Sequence, residues 1–216
     1  MTIISIKTGT DAELRRIALS DGSLFSFRVS YLADFPGPFR PEADGDFIDG
    51  LAGGEEISAG EEGAFRFAAA CLRAERAALR LTARAEQTMR GLSRKLERRG
   101  FADACVQAVI RHLEALGLVN DRRFAGLWLQ SRLARRRESP RRLLAALRGR
   151  GICRTDAEDA LKSALSFQTE SALLRDYIEK LRLSPEAAGG LSLKYHLRGE
   201  GFSAPVIQGY WEEREW

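Results

Sequence analysis

The sequence has 216 residues, of which 44% are hydrophobic and 30% are charged, with 34 lysines and arginines against 30 acidic residues. This length suits one or two small domains with a buried core, and the composition excludes a disordered chain. No apolar run approaches the roughly 20 residues of a membrane span, and the start of the chain lacks a secretory signal. The cysteines Cys71, Cys105 and Cys153 lack CxxC spacing and are expected to be small buried side chains. We therefore expect a soluble cytoplasmic protein that does not contact membranes.

Charge is distributed unevenly along the chain. Residues 1–72 carry 6 basic and 12 acidic side chains (net −6), whereas residues 73–154 carry 21 and 7 (net +14). Residues 155–216 carry 7 and 11 (net −4). Because electrostatic fields act within a Debye length of about 10 Å, the local charge indicates partners better than the total of +4. The central segment is expected to attract polyanions.

The start of the chain is predicted to form strands. Two β-prone segments, residues 14–20 and 23–29, flank the pair Asp21 and Gly22. An Asp-Gly pair between such segments is typical of a tight hairpin, because both turn residues tolerate a positive φ. The isoleucine-rich residues 3–6 are expected to add a third strand.

Residues 35–63 are rich in proline, glycine and acidic residues, which predicts a surface loop. Within it, residues 47–51 predict one more short strand. Asp44, Asp46 and Asp49 suggest a metal site, but they lack the ligand and glycine positions of an EF-hand loop. An acidic surface loop is the preferred interpretation, and we expect no metal and no cofactor.

The rest of the chain is rich in Ala, Leu, Arg and Glu, which favour helices. Capping residues mark where these helices are expected to begin and end. The predicted starts are Asn120–Asp121, Ser139–Pro140, the capping box Thr155–Glu158, and Ser184–Pro185; the predicted ends are Gly100, Gly117, Gly151 and Gly201.

A motif of two leucines, a glycine and an apolar residue occurs three times, with periods of 51 and 50 residues. The three copies are Leu92, Leu96, Gly100, Phe101; Leu143, Leu147, Gly151, Ile152; and Leu193, Leu197, Gly201, Phe202. A unit of this size cannot bury its apolar face alone, so neighbouring units are expected to stack. The sequence thus predicts a mainly α fold of three tandem three-helix repeats in an elongated array, preceded by a small β-hairpin region. The alternative is an ordinary helical domain with chance glycine spacing. The predicted regions are 1–60, 61–116, 117–166 and 167–216.

Three segments together resemble a known family. Residues 94–101 (RKLERRGF), 117–132 (GLVNDRRFAGLWLQSR) and 139–152 (SPRRLLAALRGRGI) match in order and spacing the RecX family, bacterial regulators of the recombinase RecA. The resemblance covers residues 75–216 and is weaker in the third unit. It implies a non-enzymatic protein of three tandem three-helix repeats that binds the RecA–DNA filament and inhibits its ATPase and strand-exchange activities.

The basic helices are the predicted contact with DNA and the filament. From Arg122 to Arg154 the chain has many arginines and one acidic residue, Glu138. Crowded like charges repel without an anionic partner, and the planar fork of arginine suits phosphate. The simpler alternative is a solvated helix face. The predicted contacts are Arg94, Lys95, Arg98, Arg99, Arg132, Arg135, Arg136, Arg137, Arg141, Arg142, Arg148 and Arg150.

Three large apolar side chains allow two interpretations. Phe124, Leu127 and Trp128 are spaced to stack on bases or to fill a helical core. The core interpretation is preferred, because the equivalent positions of the third unit are also apolar. Contacts to single- and double-stranded DNA are therefore expected to reach backbone phosphates rather than bases.

Three rival functions remain open at this point. One is a general DNA-binding protein that uses a helix-turn-helix, and another is a helical scaffold for an acidic protein. An enzyme is the third, but the sequence has no phosphate-binding loop, and its two histidines, His112 and His196, lie far apart. His112 is expected to be a surface or helix-end residue, and no catalytic residue is predicted.

Overall fold

The computed structural model describes residues 1–9, 11–37, 48, 50–135, 138–182 and 190–213, without the side chains of residues 135 and 190. Within these ranges the protein is mostly helical, with nine α-helices and a small three-stranded antiparallel sheet. The chain divides into two compact units, residues 1–119 and residues 120–216.

The sheet of the first unit consists of β1 (Ile3–Thr8), β2 (Leu14–Leu19) and β3 (Leu24–Arg28), in that order. The predicted hairpin is confirmed: Gly22 has a φ of +86°, and its N–H donates to the Leu19 carbonyl at 3.0 Å. The predicted third strand is confirmed as β1. A 3-10 turn, Val29–Leu32, follows β3.

The strand predicted over residues 47–51 is wrong at Ile48 and Gly50, whose backbones are helical. Ile48 is buried in the core of the first unit. The apolar residues Phe47, Ile48 and Leu51 also fit one helical turn, so their short pattern did not separate the two structures. Asp44, Asp46 and Asp49 lie outside the described residues.

From residue 51 to the end of the first unit, all of which the structure describes, there are three helices: α1 (Ala59–Thr82), α2 (Met89–Glu97) and α3 (Asp103–Ala115). The Ser58 side chain caps α1 in a capping box with Glu61. One core contains buried residues from the sheet, such as Phe27, and from the helices, such as Phe65, whose rings stack at 5.4 Å. The sheet is therefore part of the same folded unit as α1.

The second unit contains six helices among its described residues. They are α4 (Asp121–Arg135), α5 (Pro140–Gly149), α6 (Arg154–Ala164), α7 (Phe167–Leu181), α8 (Gly190–Gly199) and α9 (Ala204–Glu212). A second apolar core extends from Ala125 to Ile207.

The three-fold repeat of the sequence corresponds to one repeated structure. All six leucines of the motif are buried, and its three glycines have a φ of +84° to +97°. After each glycine the next N–H donates to the carbonyl of the second leucine: Phe101 to Leu96, Ile152 to Leu147, and Phe202 to Leu197, at 3.4, 3.3 and 3.2 Å. The glycine thus ends the helix in a left-handed conformation and turns an apolar residue under it. The predicted fold class is confirmed, whereas the exact region boundaries stay a prediction.

Most of the predicted helix boundaries are also confirmed. The Asn120 side chain accepts the Arg123 N–H at 2.8 Å, and Ser139 caps α5 with Pro140 at its first position. The capping box at Thr155 is wrong, because α6 begins at Arg154 and Cys153 is its cap. The pair Ser184–Pro185 lies outside the described residues.

Two burial predictions need correction. Cys71 and Cys105 are buried as expected, but Cys153 is exposed because it occupies the helix cap. Phe124 and Trp128 pack against the second core, whereas Leu127 is 50% exposed. Leu127 lies one residue before Trp128, and this rotation of about 100° along α4 turns it toward solvent.

Candidate nucleic-acid interface

A basic groove lies in the second unit, beside α5, the start of α6 and the end of α8. Its volume is about 530 Å³, and three arginines line it: Arg141, Arg148 and Arg154. Apolar side chains such as Leu144 and Leu161 also line the groove. Cationic side chains beside an apolar floor provide binding groups for an anionic chain.

Helical spacing places two of the three arginines of α5 on one face. Arg141 and Arg148 are seven residues apart, and Leu144 lies between them on the same face. Leu143 and Leu147 point into the core and are almost fully buried, which turns the arginine face outward. Arg142 is exposed, but it does not line the groove.

Glu200 is an acidic residue in contact with this arginine face. Its backbone carbonyl accepts the Arg141 N–H at 2.9 Å, and its carboxylate accepts a hydrogen bond from the Ser139 hydroxyl. The same carboxylate lies 3.4 Å from the Arg141 guanidinium, which is 70% exposed. Burial, followed by this negative charge, raises the pKa of the nearby Tyr177 hydroxyl. This ion pair is long and its guanidinium lies in solvent, so Arg141 is available to another anion.

Arg154, the third arginine of the groove, was not among the predicted contacts. It forms an ion pair with Glu158 at 2.7 Å, one helical turn along α6, and both side chains are exposed. Water screens such a pair, so it contributes little to the stability of the fold. A phosphate group in the groove is able to replace Glu158 as the partner of Arg154.

Two further predicted residues lie around Trp128. The Arg150 guanidinium lies 4.6 Å from the centre of the indole ring and that of Arg132 lies 5.6 Å from it, as in cation–π contacts. Arg132 also pairs with Glu138 at 2.9 Å. These contacts and the packing of Trp128 against the core confirm that its ring is part of the fold.

The four predicted residues near α2 belong to the other compact unit. Arg94, Arg98 and Arg99 are exposed, and Lys95 is half-buried and donates to the Gln87 side chain at 2.6 Å. Arg98 and Arg99 donate to backbone carbonyls at 3.2 and 3.4 Å. These residues form a basic surface of the first unit.

The groove therefore joins only part of the predicted set. It contains Arg141 and Arg148 and adds Arg154, while the side chain of Arg135 and residues Arg136 and Arg137 lie outside the described residues.

A search of the described residues finds no helix able to span a membrane.

Comparison with known proteins gives a consistent result. Residues 120–161 match the family model described as RecX, second three-helix domain. The chain is 40% identical over 146 residues to "Regulatory protein RecX" of Treponema pallidum (strain Nichols), covering 68% of this chain and 88% of that protein. A protein of the same name from Halorhodospira halophila is 40% identical over 133 residues, covering 61% of this chain and 82% of its own length.

Solved structures show the same fold. A crystal structure of regulatory protein RecX aligns with 96% of this chain and 97% of its own, with a TM-score of 0.65 and 20% identity. The crystal structure of RecX from Lactobacillus salivarius aligns with 67% of this chain and 96% of its own, with a TM-score of 0.54 and 20% identity.

Proposed function

The chain belongs to the RecX family of regulatory proteins, and from this membership and the basic groove we propose that it binds the RecA–DNA filament and inhibits RecA ATPase and strand exchange. The observation that carries the proposal is the groove itself. Arg141, Arg148 and Arg154 line one cavity of about 530 Å³, and its single lining acid, Glu158, is exposed and weakly paired.

The chemistry of the groove favours phosphate. Guanidinium groups bind phosphate through two parallel hydrogen bonds, and each phosphate contact also releases counterions from DNA. Among the described residues, no acidic side chain lies within ion-pair distance of Arg148. We expect contacts with single- and double-stranded DNA alike, because backbone contacts carry no sequence information.

The other predicted cations extend this proposed contact. Arg142 lies on α5, Arg132 and Arg150 lie beside Trp128 in the same unit, and the surface of α2 offers a separate basic patch. We infer that the protein acts by binding rather than by catalysis, because its relatives are named regulatory proteins and the groove combines arginines with apolar side chains.

The test compares RecA ATPase on single-stranded DNA with and without this protein. The groove variant is Arg141→Gln with Arg148→Gln, and the matched control is Lys162→Gln with Arg175→Gln, which removes two exposed charges from the same unit. The unchanged protein is expected to inhibit, the control to inhibit equally, and the groove variant to need about tenfold more protein. Undiminished ATPase with stoichiometric unchanged protein would show that RecA is not the target.

DNA binding alone gives a second readout. Loss of two phosphate contacts lowers the slope of log K against log salt by about 1.4 on single strands and about 1.8 on duplexes. An unchanged slope in the groove variant would contradict the assignment of the groove.

The alternative is a general helix-turn-helix DNA-binding protein without a role at RecA. The turn at Gly151, which joins α5 to α6 with a φ of +97°, is the observation in its favour. A sequence-specific reader prefers its site over random DNA by at least about 10³-fold. We expect no such preference for one DNA site. A second test is RecA ATPase at saturating DNA, where persistent inhibition would favour a direct effect on RecA over the alternative.

A further inference from the structure

The acidic N-terminal segment contains an unexpected cationic groove. It lies at the end of the sheet where β1 turns into β2, beside α1, and has a volume of about 500 Å³. The side chains that define it are Lys7, Arg15, Arg16, Ser26, Leu72 and Arg76. Four of its lining residues are cations and none is acidic, and three of the four, Lys7, Arg15 and Arg16, belong to residues 1–72, which have a net charge of −6.

The sheet register places two of these cations side by side. Lys7 of β1 lies directly opposite Arg16 of β2, and both side chains are exposed. Arg16 donates from Nε to the Ser26 hydroxyl of β3 at 3.3 Å. Like charges directly opposite each other in a sheet are destabilising. A bound anion between them would remove that cost.

The acidic residues nearest in the fold are engaged elsewhere. Asp11 binds Arg28 at 2.8 Å, and Glu13 accepts the Ser30 N–H at 3.2 Å. Glu75, one residue from Arg76 on α1, binds Arg28 at 3.1 Å. In the part of the chain that the structure describes, no acidic side chain lies within ion-pair distance of Lys7, Arg16 or Arg76.

We propose that this groove is a second DNA site, which binds the phosphodiester backbone of a nucleic-acid strand. The proposal rests on the proposed function in one respect, that the protein binds DNA. Arginine forks and a lysine ammonium suit phosphate oxygens, and the serine hydroxyl adds a donor. We expect this site to show no sequence preference, because contacts with phosphate oxygens carry no sequence information.

The test measures the affinity of the unchanged protein and its variants for fluorescently labelled single-stranded DNA as a function of salt concentration. The variant is Lys7→Gln with Arg16→Gln. The control is Arg66→Gln with Arg111→Gln, which removes two exposed cations from the same unit, each with an acidic partner, Glu62 or Asp34. The sheet variant is expected to bind about tenfold more weakly, with the salt slope lowered by about 1.4, while the control retains the slope. The melting temperature of the Lys7→Gln, Arg16→Gln variant is expected to be equal to or above that of the unchanged protein, because this variant loses a repulsive pair.

The outcomes separate this proposal from the proposed function. If the unchanged protein binds no DNA, the second site and the DNA contact of the first groove are both wrong, whereas inhibition of RecA is decided separately by the ATPase measurement. If DNA binding depends on Arg141 and Arg148 but the sheet variant keeps the full salt slope, only the second site is wrong. Retained DNA binding with lost RecA inhibition in the sheet variant would also overturn it and would indicate an acidic protein surface as the occupant.

Discussion

Arg28, at the end of β3, and Glu75, in the middle of α1, form a two-point ion pair: Nε lies 3.2 Å from Oε2 and a terminal guanidinium nitrogen lies 3.1 Å from Oε1. The Tyr31 hydroxyl donates to the same carboxylate at 2.9 Å, and Arg28 also binds Asp11 at 2.8 Å. One buried carboxylate therefore ties the sheet and the 3-10 turn to the first helix.

Removing this carboxylate is expected to destabilise the first unit strongly. The side chains of Arg28 and Glu75 are only 16% and 6% exposed, so Glu75→Leu leaves a largely buried guanidinium with the exposed Asp11 as its remaining acidic partner. We expect a loss of about 3–5 kcal/mol in the free energy of unfolding, measured by urea denaturation.

Two controls define that result. Glu158→Gln breaks the exposed pair with Arg154 and is expected to leave the urea midpoint nearly unchanged, because water screens both side chains. Replacing both partners, with Arg28→Met and Glu75→Leu, is expected to recover part of the loss, because no buried guanidinium remains but the Tyr31 hydroxyl still lacks its acceptor. A single Glu75→Leu variant as stable as the unchanged protein would contradict the role of this pair.

Because of Tyr31, the free energy of unfolding is expected to depend on pH in the alkaline range. Burial and the neighbouring Glu75 carboxylate raise the pKa of its hydroxyl above the ordinary value of 10. The unfolded chain therefore loses this proton at a lower pH than the folded chain does. The contribution of Tyr31 to the free energy of unfolding is fully present below pH 10 and decreases as the pH rises further. At pH 11 the expected loss from this group is on the order of 1 kcal/mol.

The comparison that isolates this effect uses Tyr31→Phe. The variant loses the hydrogen bond to Glu75 and is expected to be less stable at pH 8 by about 1 kcal/mol. Between pH 9 and pH 11 its urea midpoint is expected to fall less than that of the unchanged protein. Parallel curves for the two proteins would show that Tyr31 is not responsible.

Local patterns in the sequence predicted the parts of the fold that depend on near neighbours. The Asp21–Gly22 turn and the spacing of Leu143, Leu147 and Gly151 each set a conformation within one element or turn, and each is confirmed. Over the five residues 47–51 the apolar pattern fits both a strand and a helical turn, so the sequence predicts a strand where the backbone of Ile48 is helical.

The groove was harder to predict, because it depends on segments far apart in the chain. Arg141 and Glu200 are 59 residues apart, and no local pattern indicates that these two helix ends meet. Charge sums also average over a segment, so a net charge of −6 concealed the pairing of Lys7 with Arg16 across two strands.

Gly201 tests this contact between distant segments. Its φ is +88°, and an added Cβ would lie 3.3 Å from the Arg141 nitrogen and 3.4 Å from the Pro140 Cβ. Gly201→Ala is expected to cost about 2–3 kcal/mol, which combines left-handed strain with crowding. Gly199→Ala is the matched control: this helical glycine has open space around its Cβ position, so the substitution is expected to be neutral or stabilising by up to about 1 kcal/mol. Equal urea midpoints for the two variants would contradict the close approach.

Glu200 is expected to limit the affinity of the groove for DNA. Its carboxylate lies beside Arg141 and repels phosphate, whereas its hydrogen bond with Ser139 needs only an oxygen acceptor. Glu200→Gln keeps that acceptor and removes the charge, so DNA binding is expected to tighten about two- to fivefold at moderate salt, the equivalent of one weak ion pair. The control is Glu213→Gln, which removes an exposed acid paired with Arg175 in the same unit. Anisotropy titrations that show the same gain for both variants would indicate a general charge effect, whereas a gain confined to Glu200→Gln locates the DNA strand beside Arg141.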